Sequence, residues 1–370
     1  MCAAIPIEAV AANSFSSISL DTLIKRVEAV HLWDERYWAL LLHYQSSLAG
    51  GVESEVDDLG FFLAPDGKTN PRAEMEATLA YWLKEDLVGR SQQPARCAFI
   101  ARYEWLRTTL QISEDEVPRL PCERFDRWFD EFQAESVTLI FASAFMNNPS
   151  SMFGHTFLRI DQANQTPETR ILAYTINYAA DVPPDAGIEF AFKGIAGLYK
   201  GYFSTLPYYM KVKEYRDLEN RDIWEYRLNF SKAQIRRLLM HAWELGNASF
   251  DYFFFKENCA YHILGLLEIA DPHLHLKEEF LFWTIPADTV RILTSQPGLV
   301  AEVTYRPSRS TQFRREYEQL SFLESDWFDH IVHDPSQITT SAFQTVPTLQ
   351  QARLLDLTSD YLRFKSVKDP

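Results

Sequence analysis

No run in the 370 residues approaches the ~18–20 consecutive apolar positions that a membrane-spanning helix needs. The best candidate, residues 137–146, is strand-length and β-branched. Basic residues are scarce: 36 Lys and Arg against 51 Asp and Glu leave a net charge of −15. That balance argues against a nucleic-acid partner, which needs a basic face for phosphate. It also argues against broad electrostatic docking onto anionic lipid. Only four cysteines occur, and no CxxC or Cys/His spacing suggests zinc. HExxH, GxSxG and Gly-rich phosphate loops are missing, as are internal repeats and low-complexity tracts. No metal and no cofactor is therefore expected.

What is present is core-forming material. The chain is 46% hydrophobic and 14% aromatic, with 26 Phe and 17 Tyr, so it folds around a substantial core. Its length suggests two to three structural units. Residues 1–14 are set apart: Ala9-Val10-Ala11 fits a small-residue cleavage site, but no basic or apolar run precedes it. A signal remnant and a disordered tail both stay open. Residues 15–47, 73–86 and 98–112 carry apolar positions at helical spacing, so residues 15–134 read as a mostly helical N-terminal domain. Cys97 and Cys122 lie within it, and either close a disulfide in an oxidising compartment or stay as two buried thiols.

The pattern changes at Val137. Strands are expected over residues 137–145, 155–161, 171–180 and 221–230. Residues 187–215 read as a long connection, part helix and part Gly-punctuated loop. Ser231 and Gly246 bracket a helix over residues 232–245, and a second helix opens at Cys259. Residues 135–305 thus form one α+β catalytic unit, and residues 306–370 a helical C-terminal segment.

A cysteine in the first turn of a helix meets the positive end of the helix dipole and unpaired N–H groups, which favour thiolate and can hold an oxyanion. Cys259 has that setting. His155 opens a strand beside the polar loop "NNPSSMFG", where an imidazole can face a cleft. A helix-borne Cys and a strand-borne His in one α+β unit form the papain-type pair, the His acting as base and then acid. The third, orienting residue is expected from the next strand, with Asn177 ahead of Tyr174. Candidate substrate-binding residues are Asn258, Ser151, Tyr174, Tyr208 and Arg221. His262, three residues after Cys259, reads as structural.

Three blocks, "NNPSSMFGHTFLRID", "GYFSTLPYYMKVKEYRDLENRDIWEY" and "FDYFFFKENCAYHILGLLE", closely resemble the DUF4105 family, the periplasmic domain of the lipoprotein N-acylation transferase Lnb. The His-before-Cys order is also similar to the permuted NlpC/P60-like group. The resemblance implies a permuted papain-like core in the periplasm. It also implies attack by Cys259 on an ester of a lipoprotein or other lipid at a membrane surface. A thioester forms, and the acyl chain then passes to an amine. Integral-membrane Lnb proteins carry transmembrane helices after the domain; here access to a bilayer would come from exposed aromatic surface or a lost anchor. Two other readings remain: a peptidase or amidase acting on cell-wall peptide with the same pair, and a silent binding or scaffold domain.

Overall fold

The structure, a computed structural model, describes residues 17–47, 50–144, 154–183, 189–280 and 283–368. The chain opens with the helices α1 (Leu20–Val30), α2 (Arg36–Leu42), α3 (Pro71–Trp82), α4 (Ile100–Thr109), which a one-turn helix Ala95–Ala98 precedes, and α5 (Glu123–Phe132). Local signals set their starts. Ser19 caps α1, and Asn70 caps α3 with Pro71 in the first helical position, where no N–H is needed. Leu59–Phe61 form a 3-10 turn, with Asp58 accepting from the Gly60 N–H.

Cys97 and Cys122 form a disulfide, Cα atoms 5.3 Å apart, across a separation of 25 residues. A crosslink of that span removes denatured-state entropy equivalent to about 3 kcal/mol. Reduction, or paired Cys97→Ala and Cys122→Ala changes, should lower the urea-unfolding free energy by that order. A loss below about 1 kcal/mol would contradict it.

The second half is built on one seven-stranded antiparallel sheet. Its strands are β1 (Ala134–Ala142), β2 (His155–Gln162), β3 (Tyr174–Ala180), β4 (Tyr199–Pro207), β5 (Ile223–Leu228), β6 (Phe250–Tyr252) and β7 (Val300–Arg306), in the order β6-β4-β3-β2-β1-β5-β7. With helices and sheet in one chain, the fold is α+β. Strand β4 lies in what reads as a connection, because Gly201 and Pro207 are strand-breaking residues. Gly201 is required there: a Cβ would sit 2.1 Å from the Tyr178 hydroxyl on the neighbouring strand. Strand β7 is a further addition, at the sheet edge. Residues 171 and 172 belong to a 3-10 turn, so β3 starts at Tyr174.

The remaining helices are α6 (Glu189–Ile195), α7 (Tyr208–Val212), α8 (Lys232–Leu245), α9 (Cys259–Ala270), α10 (Pro286–Ser295), α11 (Arg309–Tyr317), α12 (Phe322–His333) and α13 (Thr348–Lys368). Strand alternation divides the buried side chains between two faces. Val137, Leu139, Leu158 and Ile176 pack with α8 and α9 in the main core, which continues into the N-terminal helices. Ile140, Ala142, Phe157 and Ile223 pack on the other face with Tyr208, Val212 and Tyr215. Helix α9 is buried at every position except Tyr261, so its first residue is fixed from all sides. Helices α12 and α13 and the one-turn helix Ser341–Gln344 between them share a separate small core of Phe328, Ile331, Phe343, Leu354 and Leu357.

Candidate active site

Asn258 caps α9 and fixes where the cysteine stands. Its Oδ1 accepts from the N–H groups of Ala260 and Tyr261, at 3.0 and 3.4 Å. Its Nδ2 donates to the carbonyls of Phe254 (3.0 Å) and Thr284 (2.6 Å). Four bonds from one buried amide consume its polar capacity, so Asn258 positions the thiol rather than contacting substrate. The side chain ties three segments to the start of α9.

Cys259 is buried at the first helical position, against β2 and β6. Its sulfur faces the Thr156 N–H and hydroxyl and the Tyr252 hydroxyl. Thr156 is the residue after His155, so the sulfur lies beside the start of β2. Alternation sends Thr156 to the α9 face and His155 to the opposite one. There the imidazole packs against Phe157 (ring centroids 6.0 Å apart) and Tyr215 (5.9 Å). The thiol and the imidazole therefore stand on opposite faces of the sheet at the start of β2. No hydrogen bond joins them among the described residues. Gly154 makes the turn into that strand at φ 98°, and a Cβ there would lie 2.6 Å from the Phe141 ring.

Tyr215 links the two sides. Its ring lies 5.9 Å from the His155 ring, and burial first, then Glu214, push its pKa up, with a smaller contribution from a thiolate on Cys259. Arg221 holds Tyr215 in place, with the guanidinium carbon 4.7 Å from the ring centroid. The same guanidinium donates to the carbonyls of Ser143 (2.6 Å) and Ala142 (3.1 Å) and to Glu219 (2.9 Å). Arg221 is buried and each of its three guanidinium nitrogens already donates to the protein, so it acts as a positioning residue and not as part of a substrate wall. Tyr208 is likewise buried, donating to Glu225 at 3.0 Å beneath Arg159. Tyr174 pairs with Ile160, five residues along β2 from His155, about 17 Å away at strand rise. It packs on Phe132 and cannot orient the imidazole. Asn177 lies on the His155 face of the sheet, but its Nδ2 donates to Thr175 Oγ1 at 2.7 Å and its buried Oδ1 has no partner. Ser151 lies outside the described residues. Sequence reasoning missed Tyr215 and Tyr252. Their only signal is aromatic clustering in "KVKEY" and "FDYFFF", which ordinary core packing produces equally well.

Residues 124–296 match the family model of the Lnb N-terminal periplasmic domain. The flanking stretches match two domains of unknown function, DUF7843 over residues 30–109 and DUF7842 over residues 303–370. No curated protein and no solved structure matches the chain. The Lnb-type domain spans both His155 and Cys259. The match supports an Lnb-like relation and a periplasmic location, where a disulfide persists. No helix among the described residues is long and apolar enough to cross a membrane.

Electrostatics in the Lnb-type domain run against a preformed ion pair. Burial pushes the Cys259 thiol up, and the hydrogen-bond donors of Thr156, Tyr252 and Ala260 only partly offset it. The helix-dipole expectation of a ready thiolate is thus overridden by desolvation. Burial, and then the positive charges of Lys211 and Arg221, hold His155 down at about 3. Both groups rest neutral at pH 7. Iodoacetamide should therefore alkylate resting Cys259 more slowly than a free cysteine at neutral pH, with the rate still rising above pH 9. His155 should add no inflection between pH 5 and 8. A rate plateau below pH 7 would contradict this.

His262 is buried with neither ring nitrogen partnered, between Tyr178 (4.2 Å) and Phe250 (4.4 Å). Burial holds it neutral. Among the described residues, no group of three His, Cys, Asp or Glu side chains could hold a metal.

Proposed function

We propose that the Lnb-type domain is a cysteine-nucleophile acyltransferase acting on a lipoprotein or lipid ester. The observation that carries the reading is the Cys259 thiol at the capped start of α9, held against the residue next to His155. Cys259 attacks the ester carbonyl carbon, and its S–H proton passes to the neutral His155 imidazole. A tetrahedral oxyanion results. It collapses as the alcohol leaves, taking the proton from His155, and a thioester remains on Cys259. An amine then attacks the thioester, its proton goes to His155, and the sulfur leaves as thiolate and is reprotonated.

A neutral base suits this sequence, because an imidazolium could not accept the first proton. Catalytic hydrogen bonds are often long without substrate and tighten in the complex, which accords with the missing contact between imidazole and sulfur. Arg221 and Tyr215 set where the imidazole stands, and Asn258 sets where the thiol stands.

The reading is tested by incubating the protein with a synthetic diacylglyceryl lipopeptide and fragmenting the product by mass spectrometry. Transfer keeps the lipopeptide mass constant while moving one acyl chain from glyceryl oxygen to the N-terminal amine. Release of free fatty acid instead would make water the acceptor. An unchanged lipopeptide together with cleavage of a cell-wall peptide would replace this reading by the peptidase one.

A further inference from the structure

The segment that delivers the nucleophile, residues 253–257, carries an apolar rim on both sides. On one side stand Phe192, Ile195 and Leu198, which are 70%, 56% and 63% exposed. On the other stands Trp283, 66% exposed. Backbone bonds connect these pieces. The Phe254 N–H donates to the Gly194 carbonyl (2.9 Å), and the Thr284 N–H donates to the Phe255 carbonyl (2.8 Å). Asn258 bonds to both Phe254 and Thr284, one residue before Cys259. The rim and the nucleophile are thus parts of one hydrogen-bonded unit.

The outward direction of the rim is built in. A Cβ on Gly194 would lie 2.2 Å from the Phe254 ring, and one on Gly197 would lie 2.3 Å from the Phe253 ring. The two glycines let the loop's aromatic rings fill the inner side of this stretch. Their larger neighbours, Phe192, Ile195 and Leu198, are left facing water. Clustered exposed apolar side chains mark a contact surface, whereas scattered ones need no explanation. Trp and Phe favour the boundary between water and lipid.

The charge around the rim is balanced. Lys193, Lys200 and Lys256 surround it, each in an ion pair with Glu189, Asp251 or Glu257 at 2.6–2.9 Å. With each cation matched by a carboxylate the rim is close to neutral, unlike the rest of the chain. The chain as a whole carries −15, which repels its remaining surface from an anionic bilayer and favours one orientation. We propose that this rim enters the headgroup region of a phospholipid bilayer and sets Cys259 beside the ester groups of its lipids. The purpose of the contact rests on the acyl-transfer reading, but the contact itself can be measured without turnover.

The experiment is flotation of the full chain, with Cys259→Ala to stop chemistry, on vesicles of phosphatidylethanolamine and phosphatidylglycerol at 3:1. The parent should float. A Phe192→Glu, Trp283→Glu double variant should bind at least thirtyfold more weakly, since each buried aromatic side chain is worth roughly tenfold or more. Leu349→Glu, on the C-terminal helices, should change nothing, and circular dichroism confirms that each variant is folded. A parent that stays unbound overturns the proposal, as does a double variant that floats as well as the parent. A parent that stays off vesicles but dimerises in light scattering, with the dimer lost in the double variant, overturns it in favour of a protein interface. Flotation of the Cys259→Ala chain, together with a parent carrying Cys259 that moves no acyl chain of the diacylglyceryl lipopeptide, would sink the acyltransferase reading and leave the surface standing. The reverse result would sink only the surface.

Discussion

Cys259→Ala should reduce acyl transfer by at least about a thousandfold and leave the fold intact. Removing a covalent nucleophile removes the thioester route, and what remains is proximity and oxyanion binding. The cost to folding should be small. The sulfur is the whole loss, and Asn258 keeps its cap on α9 through backbone groups that the change does not touch. Transfer rate and thermal unfolding, measured side by side, separate the two. Activity within tenfold of the parent would show that another group does the chemistry. His155→Ala should cost about a hundredfold or more, with the resting alkylation rate of Cys259 little changed, because the two groups are not bonded at rest.

The largest expected stability effect lies far from the nucleophile, where Arg102 is buried between two carboxylates. Its Nη1 donates to Glu74 at 3.1 Å, its Nη2 to the Phe61 carbonyl at 2.9 Å, and its backbone N–H to Glu244 at 3.0 Å. The Phe61 and Phe99 rings each lie 4.1 Å from the guanidinium carbon. Glu74 also accepts from the Leu63 and Ala64 N–H groups, yet desolvation still pushes it up to about 7. Arg102→Met strips these carboxylates of their cation without opening them to water. Breaking one side of such a buried set costs about 3–5 kcal/mol, read as the loss of unfolding free energy in urea. A loss under 1 kcal/mol would show that the carboxylates are already neutral. The network joins α3, α4 and α8, so it locks the N-terminal helices onto the sheet-bearing half.

Much of this architecture is legible in the residues. The helix over residues 232–245 has both ends written out: Ser231 and Gln234 make a capping box and Gly246 follows the last turn. Cys259 opens a helix because Asn258 is a strong cap and apolar residues fill the turns after it. Strands β1 and β2 show as β-branched or alternating runs. Strand β4 is not legible, since its glycine answers a tyrosine on another strand and its proline ends it; both are tertiary facts. The roles of Arg221 and Tyr208 are hidden for a related reason. A Tyr-rich, charged stretch reads the same whether it lines a cleft or folds its charges inward onto carbonyls and Glu225. The resting state of the thiol escapes as well. The helix terminus is visible in the chain, but the depth of burial that outweighs it comes from β2 and β6 closing over the sulfur. Tyr215 and Tyr252 are found only once those strands are in place.

The central claim is that Cys259 carries the acyl chain. Intact-mass spectrometry after incubation with a diacylated lipopeptide tests it most directly, with Cys259→Ala and His155→Ala beside the parent. The account predicts a mass gain of one acyl chain on the parent, removed by hydroxylamine, missing in Cys259→Ala and slow to appear in His155→Ala. An equal adduct on Cys259→Ala, or no adduct on a parent that still turns the lipopeptide over at the same rate as Cys259→Ala, would contradict it.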